Sequence, residues 1–106
     1  MVKRGKDAKE EIYGCDMRGM LSFLILFLLS KKKMNGKQIT GEIGKRKGCE
    51  PSPGTIYPAL KGLKESGLIS EKKSGKTITY TLTDDGKKAL KNAKEYFCRT
   101  FTGVFD

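Results

Sequence analysis

Histidine is missing from all 106 residues. The commonest general base and the commonest metal ligand are lost together. Cysteine is scarce: Cys15, Cys49 and Cys98 lie far apart, with no C-x-x-C pair and no even set for a disulfide framework. No metal and no cofactor are expected. A sparse, odd count fits a reducing cytoplasm. Cys49 follows the basic run Lys45, Arg46 and Lys47, which leaves a thiol sensor open beside a small, half-buried, inert thiol. Without histidine an enzyme needs a carboxylate pair, a lysine Schiff base or an activated cysteine, and no grouping here points to one. Enzymatic activity is not expected.

Acidic residues are outnumbered. Twenty-two Lys and Arg stand against 12 Asp and Glu, a net charge of +10. Such an excess points to polyanions, nucleic acid before an anionic membrane surface. A basic surface that only keeps the chain soluble is the plain alternative. Long hydrophobic runs are missing as well. "MLSFLILFLLSKKK", residues 20–33, is apolar on every side for ten residues. A bilayer span needs ~20, and lysines follow where a signal peptide requires a small-residue cleavage site. No membrane association is expected. What remains is a helix buried all round, which one small core cannot cover on every face. A second subunit can.

What is present reads as a single domain over 1–106, without repeats, low-complexity stretches or a linker. Residues 1–6 form a basic tail. A polar helix is permitted over 7–18, weakened by Gly14 and Gly19, and the apolar helix follows at 20–30. Asn35 and Gln38 form a capping box for a short helix carrying Ile39 and Ile43, with Gly48 as its stop. Gly41 and Gly44 make that helix poor in isolation.

Next comes "SPGTIYPALKGLKESGLI", residues 52–69. Ser52 is its cap, Pro53 occupies the favoured first position, Ile56, Leu60 and Leu63 recur at helical spacing, and Gly67 closes it. Pro58 conflicts with this, because an interior proline costs a helix ~3 kcal/mol. A helix that begins only at Pro58, after an irregular turn over 52–57, is therefore an alternative. "LISEKK" (68–73) and the alternating Ile78, Tyr80 and Leu82 then predict a hairpin joined through Ser74-Gly75-Lys76. Thr83 caps a last helix over 84–106, with Asp84 and Asp85 at its positive end. Along it Leu90, Ala93, Phe97, Phe101 and Val104 form an apolar seam with no remaining partner in the chain.

Two helices joined by a short turn and followed by a basic hairpin predict a winged helix-turn-helix, mainly α with a small β-hairpin. Its third helix is expected in the major groove, with Ile56, Ala59, Leu60 and Leu63 inward. Gly54, Tyr57, Pro58, Lys61 and Lys64 fall on the outer arc. Gly54 admits a phosphate closely. Ser52, Thr55 and Tyr57 offer hydroxyls, and Pro58 an apolar surface for a thymine methyl. Lys72, Lys73 and Lys76 form a basic wing tip suited to phosphates. Gly36 and Gln38, at the start of the preceding helix, complete the expected DNA-binding set. Two other readings stay open: an RNA or single-strand binder, which calls for aromatics interleaved with basic residues, and a winged helix used only for protein contacts.

"GTIYPALKGLKESGLI" resembles the signature of the PadR-like winged-helix transcriptional regulators. "YTLTDDGKKAL" (80–90) is similar to that family's end of wing and start of final helix, and "LSFLILFLL" to its first core helix. The resemblance spans residues 20–90, with the shortness of the remainder similar to the compact branch having one C-terminal helix. At "NGKQI" (35–39) the sequence departs from the family's frequent His-Gly-Tyr-x-Ile. Gly36 and Ile39 remain, while Asn35 and Lys37 replace the His and Tyr, so whatever the aromatic ring contacts in relatives is in doubt. The resemblance implies a homodimeric repressor paired through first and last helices: Leu21, Leu24 and Leu28 with Leu90, Ala93, Phe97 and Phe101. Two recognition helices in successive major grooves then predict a palindromic operator. Some relatives bind flat aromatic molecules between subunits. Phe23, Phe27, Tyr96, Phe97 and Phe101 are the candidates to line such a cavity, with plain core or interface as the alternative.

Overall fold

The computed structural model describes residues 17–104; the tail at 1–6, most of the polar helix expected over 7–18, and Cys15 lie outside them. Helix α1, Met17–Lys31, carries the apolar run and begins before Gly19, so this glycine, expected to weaken the preceding polar helix, lies inside it. Leu21, Ile25, Leu26, Leu28 and Leu29 are buried, and Phe23, Leu24 and Phe27 are half-buried beside them. The chain's own core thus covers most of this helix. Each side chain so removed from water contributes ~1.5–3 kcal/mol.

A two-residue strand, β1 (Met34–Asn35), leads directly into α2, Gly36–Lys47. Asn35 Oδ1 accepts the Gln38 N–H at 2.8 Å, and Gln38 Oε1 accepts the Asn35 N–H at 2.9 Å. The expected capping box is complete. Ile39 and Ile43 are fully buried, which supplies what two interior glycines withhold. Gly48 ends the helix at φ 89, its N–H donating to the Gly44 carbonyl. Cys49, in the turn that follows, is exposed rather than half-buried.

Helix α3, Pro53–Glu65, starts at Pro53 and contains Pro58, so residues 53–57 are helical and the irregular-turn alternative is excluded. The missing N–H of Pro58 would have met the carbonyl of Gly54. Gly54 is exposed, so water can satisfy that carbonyl and lessen the cost. At the other end Gly67, with φ 79, donates to the Lys64 carbonyl, and Leu68 reaches back to the Leu63 carbonyl at 3.0 Å. This is a Schellman closure.

Strands β2 (Ile69–Ser74) and β3 (Thr77–Leu82) pair antiparallel, from Ile69 opposite Leu82 to Ser74 opposite Thr77. Only Gly75 (φ 64) and Lys76 form the turn. β1 joins the free edge of β3, Met34 opposite Tyr80, so the sheet order is β1-β3-β2. Thr83 then binds three segments together. Its hydroxyl donates to the Gly67 carbonyl at 2.7 Å and accepts the Gly86 N–H at 3.0 Å, while its own N–H donates to the Leu68 carbonyl. Helix α4, Asp84–Thr100, begins there. A Cβ at Gly86 would lie 2.0 Å from the Leu68 carbonyl oxygen, so only glycine fits this crossing.

α4 is shorter than the helix expected to reach 106. Phe101 caps it, and the chain turns away at Gly103, φ 80. Its seam also divides. Leu90 is buried in the chain's own core, so the expectation that it lacks a partner within the chain fails; Leu21 and Leu28, expected at a dimer interface, are buried in the same core. The fold is the expected winged helix-turn-helix, with α2 and α3 as the paired helices and β2–β3 as the wing. Among the described residues no helix is long and apolar enough to cross a membrane.

Candidate nucleic-acid interface

Helix α3 presents two unlike faces. Ile56, Leu60 and Leu63 are buried and Ala59 half-buried, which leaves Tyr57, Pro58, Lys61 and Lys64 outward and exposed as the helical projection requires. Ser52, Gly54 and Thr55 are exposed at its start. Ser52 is the N-cap by backbone conformation, yet its hydroxyl caps no amide. It lies 3.2 Å from the Thr55 hydroxyl instead. The carbonyls at this end are used, with Ser52 accepting the Thr55 and Ile56 N–H groups, both at 2.9 Å. The positive end of the helix dipole is left without a side-chain acceptor, open to an anion.

Tyr57 is half-exposed, with its ring lying over Gly36. A Cβ at Gly36 would sit 3.0 Å from Tyr57 Cε1 and 3.1 Å from its hydroxyl. Gly36 is therefore buried and seats the tyrosine rather than standing at the surface itself. Gln38 is exposed, but its carbonyl oxygen is committed to the capping box. Lys61 is free on the outer arc among the described residues. Lys64 is not, because it forms an ion pair and hydrogen bond with Glu71 of β2. That hydrogen bond, with the Glu71 charge, raises the Lys64 pKa above its ordinary value. The pair bridges the last turn of α3 to the base of the wing.

On the wing Lys72, Lys73 and Lys76 are all exposed. Strand alternation sends Lys72 and Lys73 to opposite faces, so Lys73 shares the face of Glu71 and Ile69. The sequence offered no sign of the Lys64–Glu71 pair or of the seat at Gly36. Each joins residues distant in the chain, through a turn and a helix packing that local periodicity does not encode.

Four phenylalanines lie together on α1 and at the end of α4 and its C-terminal turn. Phe23 of α1 and Phe97 of α4 stack with centroids 5.9 Å apart and planes within 10°, and Phe101 packs on Phe97 at 4.7 Å. Lys31 Nζ, Arg46 Cζ and Lys94 Nζ lie 5.1, 5.0 and 5.8 Å from the Phe27 centroid. Tyr96 stands 65% exposed. Within the chain, then, these rings do not line a shared apolar cavity: Phe23 and Phe97 stack on each other, and Phe27 lies among cations.

Several solved structures share this architecture. RosR of H. salinarum matches with a TM-score of 0.72 and 27% identity, over 83% of each chain. A transcriptional regulator from Clostridium thermocellum matches at 0.76 and 24% identity, over 83% of this chain and 92% of that one. F93 from STIV, described as a winged-helix DNA-binding protein, matches at 0.69 and 20% identity, over 83% and 96%. Among curated proteins none matches. The sequence profile of the PadR-like transcriptional regulators matches residues 25–92, which contain α2, α3, the whole wing and the Gly86 crossing. The chain belongs to the PadR-like family of transcriptional regulators.

Proposed function

We propose that the chain represses transcription as a homodimer that reads a palindromic operator in duplex DNA. The outward face of α3 is the observation that carries this reading. Ser52, Thr55, Tyr57 and Lys61 stand exposed around a helix start with no side-chain cap, while the opposite face of the helix is locked in the core. Hydroxyls and an uncapped helix end suit phosphates and base edges. Gly54 permits close approach of the backbone, and Pro58 stiffens the entrance beside the bases. Lys72, Lys73 and Lys76 add sequence-independent attraction to phosphates on either side of the wing.

The dimer forms through the half-covered surface of α1 and the outer half of α4. Leu24 and Ala93 are partly exposed, and Phe97, Phe101 and Val104 are exposed outright. Two α3 helices, one per subunit, then enter successive major grooves ~34 Å apart, so half-sites recur one turn apart. Repression follows where such a site overlaps a promoter. A flat aromatic inducer would have to compete with Phe97 for the Phe23 ring. Selection of bound duplexes from a random pool tests the reading. A recovered palindrome with about one turn between half-sites is expected; recovery of no preferred duplex, or of single-stranded RNA in a parallel pool, would overturn it.

A further inference from the structure

A notch of about 270 Å³ opens between the start of α2, the ring of Tyr57 and the wing, lined by Asn35, Gly36, Lys37, Tyr57, Lys76, Thr77, Ile78 and Tyr80. Two lysines from distant parts of the chain line it, Lys37 from α2 and Lys76 from the turn of the wing. No carboxylate lines it. The helix end beneath it is only partly satisfied. The capping box uses the N–H groups of Asn35 and Gln38, which leaves those of Gly36 and Lys37, the first two of the helix, without an intrahelical partner. Tyr80 supplies a second, independent sign. Its side chain is only 7% exposed, it lines the notch, and its hydroxyl has no hydrogen bond among the described residues. Burial, with the nearby Glu71 and Tyr57 adding to it, raises the phenol pKa above its ordinary value. A buried donor without an acceptor costs ~1–3 kcal/mol.

Convergent N–H and O–H donors with two cations and no acid describe an acceptor-rich anion of tetrahedral size. We infer that this notch seats one backbone phosphate of duplex DNA, held jointly by Lys37 and Lys76. The inference rests on the DNA-binding reading above and adds to it. The start of α2 and the wing tip then grip the same phosphate, which fixes the wing relative to the helix pair. Lys37 gains a defined task. Gly36 becomes a positioning residue, because a side chain there would push Tyr57 off the notch.

Salt dependence of binding to a random-sequence duplex distinguishes one shared phosphate from two separate ones. Each neutralised phosphate contributes ~0.9 to the slope of log K against log salt. With a shared phosphate, Lys37→Ala and Lys76→Ala alone should each leave the slope nearly unchanged. The double variant should lower it by ~0.9 per bound protomer. Two single variants that each lose ~0.9, with the double losing twice that, would overturn the inference while leaving DNA binding intact. A parent protein that shows no salt-dependent duplex binding would instead remove the reading beneath it. The amide signals of Gly36 and Lys37 should also shift on adding duplex but not on adding equivalent inorganic phosphate. Equal shifts with both would mark a small-anion site rather than a DNA contact.

Discussion

Two regions of this protein are bare, and they are bare of different things. At the end of α4, Tyr96, Phe97, Phe101 and Val104 expose aromatic and aliphatic surface between 39% and 65%. At the start of α3 and the tip of the wing, hydroxyls, ammonium groups and helix N–H groups face water instead. Neither surface can serve the other's purpose. Apolar area gains ~25 cal/mol per Å² only where water is expelled, which requires another apolar surface. The polar groups would lose free energy in such a contact unless each found an acceptor. One end therefore suits a second copy of the chain, the other a polyanion. α4 makes the point within one helix. Leu90 is buried in the protomer, while Phe97, two turns further along the same stripe, is 39% exposed.

The largest effect should come from the joint between the two regions. Gly86→Ala places a methyl group against the Leu68 carbonyl, a backbone atom that cannot yield cheaply. Overpacking of this kind typically costs ~1–3 kcal/mol and occasionally more, and the 2.0 Å approach puts Gly86 at the upper end. Dimerisation and DNA binding should fail together, with a clear drop in melting temperature. A variant that melts like the parent would show that α4 can shift freely on the hairpin.

A change confined to the apolar end should separate the two. Phe97→Ala removes a ring that stacks on Phe23 and Phe101. Truncating a fully buried Phe costs ~3–5 kcal/mol; in the protomer this ring is only partly covered, so most of the loss should appear in assembly. Sedimentation should find a weaker dimer of unchanged helix content. A parent protein that is a well-folded monomer at micromolar concentration would end the comparison on this side.

Tyr57→Phe tests the polar end. The ring stays on Gly36, so melting and assembly should hold, while one hydroxyl per subunit is lost. A hydrogen bond to phosphate contributes ~0.5–1.5 kcal/mol, more if charge-assisted. Felt twice in a dimer, the loss should weaken binding about tenfold or more. Unfolding with intact affinity in the surviving fraction would place Tyr57 in the core instead.

Much of this division was legible before the fold was known. The capping box at Asn35 and Gln38 and the stops at Gly48 and Gly67 follow from local chemistry and appear as expected; the hairpin also appears, but with Ser74 paired in β2 instead of standing in a three-residue turn. The spacing of Ile56, Leu60 and Leu63 favours the helix through Pro58, and the exposed turn tolerates the proline. Two things were not legible. β1 is two residues long, too short for any periodic signal, and exists because the edge of β3 offers it a partner. The apolar stripe of α4 announces burial without saying by what, and so Leu90 and Phe97 looked alike in the sequence. Their difference depends on where α1 lies.

The smallest effect should lie where the two kinds of surface come closest in role, at Lys64. Its position on the outer arc of α3 suits a phosphate, yet the structure pairs it with Glu71. The raised pKa means that the pair's contribution is present at neutral pH and is lost only as pH climbs above the ordinary lysine value of 10.5. An exposed pair of this kind adds little stability, being screened by water and salt. Glu71→Gln should therefore leave the melting temperature nearly unchanged. It removes a negative charge beside the recognition helix and frees an ammonium group. Duplex binding should strengthen a few-fold, with the salt slope steeper by up to ~0.9 per protomer if Lys64 then reaches a phosphate. Weaker binding with an unaltered slope would mean the opposite, that the pair holds the wing at its working angle. Lys64 would then be a brace between α3 and β2, and the DNA-facing arc would end at Lys61.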